Sequence, residues 1–104
     1  MKIALFCNAG MSSSLLVKRM KEEVAKEGKN HEIKADGLAK VQELGPWADI
    51  ILVGPQVRHA IRMINDRVPG KPVQAIDMRK YGLIDAKGVI EDAEKFAREN
   101  GITD

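Results

Sequence analysis

Two short runs that are almost wholly apolar constrain the fold of this chain more than any other feature. Lys2-Ile3-Ala4-Leu5-Phe6-Cys7 stops at Asn8-Ala9-Gly10, and Ala48-Asp49-Ile50-Ile51-Leu52-Val53 is closed by Gly54-Pro55. A strand with one wet face alternates apolar with polar residues, whereas a run that fails to alternate is buried on both faces, as strands inside a parallel sheet are. Such a sheet needs a layer of helix on each side.

The remaining segments supply those layers. From Ser12 or Ser13, either of which suits a cap, a helical pattern runs to about Glu27, with Leu16, Met20 and Val24 spaced by four and Gly28 just past the end. His31 to Asp36 alternates weakly, placing Ile33 and Ala35 on one face and Glu32 and Lys34 on the other, as in an edge strand. Leu38 to Leu44 reads as a short helix ended by Gly45-Pro46. Pro55 suits the first turn of a third helix that carries Val57, Ile61, Ile64 and Val68 inward before Pro69-Gly70. Pro72 to Ile76 is a fourth strand, Tyr81-Gly82 falls in a loop, and Asp85 caps a last helix with the stripe Val89, Ile90, Ala93, Phe96 and Ala97.

Strands alternating with helices predict right-handed crossovers and an α/β fold: a four-stranded parallel sheet of order 2-1-3-4, helices on both faces, in a single domain spanning residues 1–104. The connections reverse direction beside strand 1, so a crevice opens at the carboxyl ends of strands 1 and 3. Cys7-Asn8-Ala9-Gly10 and Gly54-Pro55-Gln56 meet there.

Composition narrows the function. Seventeen Lys and Arg against fifteen Asp and Glu leave a formal charge of +2, which gives no basis for a nucleic-acid or membrane-surface partner. The four aromatic residues, Phe6, Trp47, Tyr81 and Phe96, form no stacking platform for bases. No apolar run approaches the roughly 20 residues of a membrane span, and one cysteine makes no internal disulfide, so a reduced, cytoplasmic protein is expected.

The loop after the first strand carries the chemistry. Cys7-Asn8-Ala9-Gly10-Met11-Ser12-Ser13-Ser14 sets a thiol at a strand end, then a small-residue turn, then three hydroxyls where a helix starts. Ala9 and Gly10 let backbone N–H groups turn inward, the helix start favours an anion, and serine hydroxyls add donors. A helix N-terminus also favours thiolate over thiol, so Cys7 is read as a nucleophile.

Three chemistries compete for such a loop. A low-molecular-weight protein tyrosine phosphatase has Cys, five residues, then an Arg that holds the transition-state charge; here the Arg position is Ser13. A thiol reductase would use a resolving cysteine, which the chain lacks, and a nucleotide-binding P-loop would need a Lys that is absent from the loop. With no Arg to speed hydrolysis, the loop suits a carrier that keeps a phosphoryl group until a partner arrives.

These residues, with Gly54-Pro55-Gln56 and Tyr81-Gly82, resemble the enzyme IIB proteins of the lactose, cellobiose and chitobiose class of the bacterial phosphoenolpyruvate-dependent sugar phosphotransferase system, over nearly the whole chain. The resemblance implies that Cys7 accepts a phosphoryl group from a histidine of a IIA protein and passes it to a sugar held by the membrane protein IIC. It implies Asn8, Ala9, Gly10, Met11, Ser12, Ser13 and Ser14 as the phosphate-binding loop, and no cofactor. Two other readings stay open: a phosphatase-like or reductase-like enzyme using Cys7, and a regulatory binding module of the same fold.

Outside the loop, Lys18, Val57 and Arg58 are candidate docking residues, the first and last as charges that steer an acidic partner and Val57 as part of an apolar patch. His59 is a candidate activator of the thiol, set against an ordinary exposed helical histidine. Asp77 is a candidate general acid, set against a loop cap, and His31 is read as inert. Two separated histidines and one cysteine make no metal cluster.

Overall fold

The structure, a computed structural model, describes residues 1–8 and 11–102, with the side chains of residues 11–13 outside that description. Strand β1 (Lys2–Cys7) pairs in parallel with β2 (Glu32–Gly37) on one side and β3 (Ile50–Val53) on the other; β3 pairs with β4 (Val73–Ala75), giving the order 2-1-3-4. The helices are α1 (Met11–Lys26), α2 (Val41–Leu44), α3 (Ile61–Arg67), α4 (Met78–Gly82) and α5 (Ala86–Glu99).

The apolar runs owe their lack of alternation to two separate cores. Ile3, Leu5, Ile50 and Leu52 point to one face, where Leu16, Met20 and Val24 of α1 and Val89, Ile90, Ala93 and Ala97 of α5 cover them. Ala4, Phe6, Ile51 and Val53 point to the other, against Val41, Val57, Ile64 and Val68. Every position of β3 is therefore buried, and transfer of this apolar surface from water supplies the main drive for folding.

Several segments depart from the pattern read in the sequence. The third helix does not begin at Pro55: residues Pro55–Ala60 form a 3-10 segment, kinked at Val57 (φ −121°, ψ 26°), and α-helical geometry starts at Ile61. Pro55 fixes the entry, and burial of Val57 in the second core sets the kink. The second helix ends at Leu44, before Gly45-Pro46 as expected, but its first part, Leu38–Lys40, is a 3-10 turn, and Gly45–Trp47 makes another before Ala48 and Asp49 lead into β3. On β2, Ile33 is buried but Ala35 is exposed, because the cover over this edge strand does not extend to it.

At the amino ends of the strands lies a polar cluster. The Met1 ammonium stands 3.2 Å from His31 Nδ1 and has no acceptor to offer, so Nδ1 accepts and Nε2 donates to Glu94 Oε2 at 2.8 Å. Lys29 Nζ lies 2.8 Å from the same carboxylate oxygen and 2.8 Å from Glu27. Burial pushes the Glu94 carboxyl up, but hydrogen bonds from Lys29 and His31 and the Lys29 charge outweigh it and hold the group below its usual value of 4.5. A depressed carboxylate stabilises the fold above its unfolded-state value and loses that contribution as pH falls through the folded one. Glu94→Gln should therefore cost about 1 kcal/mol near neutral pH, and the gap to the parent should close as pH falls below 4.5; urea titrations across that range measure it.

Candidate functional site

Because all four strands run the same way, their carboxyl ends form one edge of the sheet, and Cys7 closes the inner strand β1 there. It is 2% exposed and stands in register with Gly37 of β2. Gly54, just past β3, donates its N–H to the carbonyl of Phe6 at 2.9 Å, which draws the β3 exit against the cysteine. A Cβ on Gly54 would stand 3.3 Å from Cys7 Cβ, 3.3 Å from Gln56 Oε1 and 3.8 Å from Tyr81 Cε2. Side chains from three separate segments thus converge on one point, and glycine is what lets them. Gly54→Ala should crowd the immobile Cys7 Cβ, cost about 1–2 kcal/mol by overpacking, and slow any reaction at the sulfur; thermal unfolding and transfer rates measured together would report both effects.

Tyr81 is delivered by α4, a helix where the sequence pattern predicts a loop. This helix ends in a Schellman turn: Asp85 N–H donates to Lys80 O at 2.9 Å and Ile84 N–H to Tyr81 O at 3.1 Å, with Ile84 in the left-handed region at φ 53°. Glycine usually occupies that position; here isoleucine does, held by packing against the first core. The helix keeps Tyr81 buried beside Gly54 while its neighbours Met78 and Leu83 stand 69% and 71% exposed. Lys80 hydrogen-bonds Asp92 at 2.7 Å, tying α4 to α5, and that bond raises the Lys80 pKa.

The expected loop residues fall only partly within view. Asn8 and Ser14 are exposed, Ala9 and Gly10 lie outside the described residues, and the side chains of Met11, Ser12 and Ser13 do too. Helix α1 starts at Met11, slightly ahead of the serines expected to cap it. Lys18 and Arg58 are exposed. Val57 is not a docking residue: it is 2% exposed and belongs to the second core, turned inward by the kink it sits on. Among the described residues the exposed large apolar side chains are instead Leu15, Met78 and Leu83.

His59 is exposed on the 3-10 segment, and His31, far from inert, anchors the cluster at the opposite edge of the sheet. Asp77 is exposed ahead of α4 and makes no side-chain capping bond. A groove of about 250 Å³ runs between β4 and α5, past Gln74, Asp77, Asp92, Lys95 and Phe96; Cys7 does not line it. Among the described residues no three His, Cys, Asp or Glu side chains gather as metal ligands, and no helix is long and apolar enough to cross a membrane.

Residues 2–92 match the family described as PTS system, lactose/cellobiose specific IIB subunit. The chain belongs to that family. It is 36% identical over 101 residues to the galactose-specific EIIB component of Lactococcus lactis subsp. cremoris, covering 90% of this chain and 94% of the relative. It is 39% identical over 94 residues to the oligo-beta-mannoside-specific EIIB component of Bacillus subtilis, covering 88% and 91%. The solution structure of the cellobiose-specific IIB component of Borrelia burgdorferi superposes with a TM-score of 0.80 at 27% identity, covering 96% of this chain and 94% of that one. The fold is also that of a low-molecular-weight protein tyrosine phosphatase from Bacillus subtilis, with a TM-score of 0.61 at 13% identity over 95% of this chain and 98% of that one.

The chain is thus a IIB component of the sugar phosphotransferase system. In this IIB chain the topology already brings Gln56 to the crevice beside Cys7; what the sequence pattern does not mark is the turn of the Gln56 side chain back over Gly54 or the exposure of Met78 and Leu83.

Proposed function

We propose that Cys7 is the phosphoryl acceptor of this IIB component, and that residues 1–104 act as one phosphocarrier domain between a IIA phosphohistidine and a sugar held by membrane-embedded IIC. The observation that carries the reading is the placement of the lone cysteine: it ends an inner strand at the carboxyl edge of a parallel sheet, where ligands bind in open α/β folds, beside a glycine that lets Gln56 and Tyr81 approach it.

In the first transfer the thiolate electron pair forms the S–P bond as the N–P bond to the donor imidazole breaks, its pair returning to the ring nitrogen. In the second, a sugar hydroxyl oxygen forms the O–P bond, the S–P pair returns to sulfur, and the hydroxyl proton leaves to a base at the partner's site. A loose phosphoryl transition state needs in-line placement and donors to its equatorial oxygens more than acid–base groups. Backbone N–H groups and hydroxyls from Asn8 to Ser14, including Ala9, Gly10, Met11, Ser12 and Ser13, are the proposed donors. Ser13 where a phosphatase has Arg favours retention of the group over its hydrolysis.

Met78 and Leu83 form the apolar part of the proposed docking face, with Lys18 and Arg58 as steering charges for an acidic partner. The carrier works in the cytoplasm and meets the inner membrane face through IIC, without cofactor or nucleic acid. The test is to incubate the chain with phosphoenolpyruvate, the general phosphotransferase proteins and a IIA protein of the lactose/cellobiose class, then locate the label by intact and peptide mass. One phosphoryl group on Cys7 is expected. A chain left unmodified by several IIA proteins, or labelled elsewhere, overturns the proposal; turnover of an aryl phosphate without IIA favours the phosphatase reading.

A further inference from the structure

We infer that Gln56 is a phosphoryl-binding residue, its side-chain amide donating to an oxygen of the group carried on Cys7. The inference rests on the phosphocysteine reading above and adds a residue to that site.

Three observations point to it. First, the Gln56 amide and the Cys7 Cβ lie 3.3 Å from the same point, the place where a side chain on Gly54 would begin. The two are therefore no farther apart than about twice that distance, a gap that the two bonds from Cβ through sulfur to phosphorus are long enough to span in large part. Second, the amide makes no hydrogen bond to any described residue, and the 3-10 segment Pro55–Ala60 that carries it is not capped by a side chain. A group with two N–H donors folded back over glycine, with nothing to bind, is poised for a ligand. Third, Gln56 is exposed whereas Cys7 is buried, so the amide is the solvent-facing member of the pair that meets at Gly54.

The oxygen and nitrogen of an amide exchange by a half-turn of the side chain, so the oxygen that faces the point now is readily replaced by N–H once an anion arrives. A neutral donor also fits the task. An Arg there would place full positive charge against the phosphoryl oxygens, as hydrolytic enzymes do; an amide orients the group and leaves its reactivity to the partner. As the thiolate pair forms the S–P bond and the N–P bond of the donor breaks, the amide holds one equatorial oxygen in place and itself exchanges no bond or proton.

The test compares wild type, Gln56→Ala and Gln56→Glu in the phosphoenolpyruvate-driven assay with a IIA protein of the lactose/cellobiose class, reading the transfer rate, the equilibrium fraction of phosphocysteine and its ³¹P resonance. Gln56→Ala should lower kcat/KM about tenfold, or roughly 1.4 kcal/mol, reduce the phosphorylated fraction and shift the resonance, with an unchanged melting temperature. Gln56→Glu, of the same shape, should lose more, because its carboxylate faces the phosphoryl dianion. Transfer at the wild-type rate with an unshifted resonance in Gln56→Ala overturns the inference and leaves the phosphocysteine reading standing. A slow variant that also melts well below wild type assigns Gln56 to structure and overturns it too. Absence of label on Cys7 in wild type removes both.

Discussion

Replacing Cys7 by serine is expected to reduce phosphoryl acceptance by a thousandfold or more, on the scale seen when a nucleophile is removed from a preorganised site. A serine hydroxyl at this position is far less ionised than a thiol. The change is small in volume, and the side chain is flanked by backbone on both sides through β2 and β3. Burying a hydroxyl in place of sulfur costs about 1 kcal/mol, so the variant should still fold. The discriminating measurement pairs the rate of label transfer from phosphorylated IIA with a thermal melt: loss of transfer with a melt close to the parent's places the defect at the sulfur. Retained labelling of Cys7→Ser would mean that another residue accepts the group.

One position earlier, Phe6→Ala should give the opposite signature. Phe6 is fully buried and turns away from Cys7 into the second core, among Val41, Ile51, Val57 and Ile64. Removing its ring leaves a cavity that costs about 3–5 kcal/mol, a large part of the 5–15 kcal/mol that holds a domain folded. The melting temperature should fall by roughly 15 °C or more. Below that temperature the remaining folded molecules should still accept label, because the ring touches the opposite core and not the sulfur's face. Calorimetry with a cold transfer assay separates the two effects, and a Phe6→Ala chain as stable as its parent would contradict the two-core description.

The fold was legible where burial leaves no freedom. Ile3 to Cys7 and Ile50 to Val53 have polar residues nowhere inside them, and a sequence of that kind has few places to go but the interior of a parallel sheet. Their order then follows from the handedness of the crossovers. Legibility failed where one residue answers to two demands. Val57 fits a helical stripe, yet its burial in the second core bends the 3-10 segment and removes it from the surface. Ile84 takes a backbone conformation that sequence reasoning reserves for glycine, so the end of α4, and with it the helix, was invisible.

The site divides along the same line. Cys7 and Gly54 stand next to the strands that fix them, and their meeting could be inferred from topology. Gln56 arrives with Gly54, but the turn of its side chain back over the glycine and the approach of Tyr81, riding a helix whose stop signal is disguised, could not be inferred that way. Hydrophobic periodicity carries no information on such encounters, because neither position belongs to a repeating pattern.

The position of Cys7 at the tip of a strand walled in by β2 and β3 and covered by helices on both sides has a consequence for traffic. On the phosphocysteine reading, two proteins that each need this buried sulfur cannot hold it at once. The proposed carrier must then leave one partner before it serves the next, so the throughput of the relay depends on encounter and departure rates. More copies of the carrier would then speed the relay further than stickier ones, and a partner that held on too long would act as a brake.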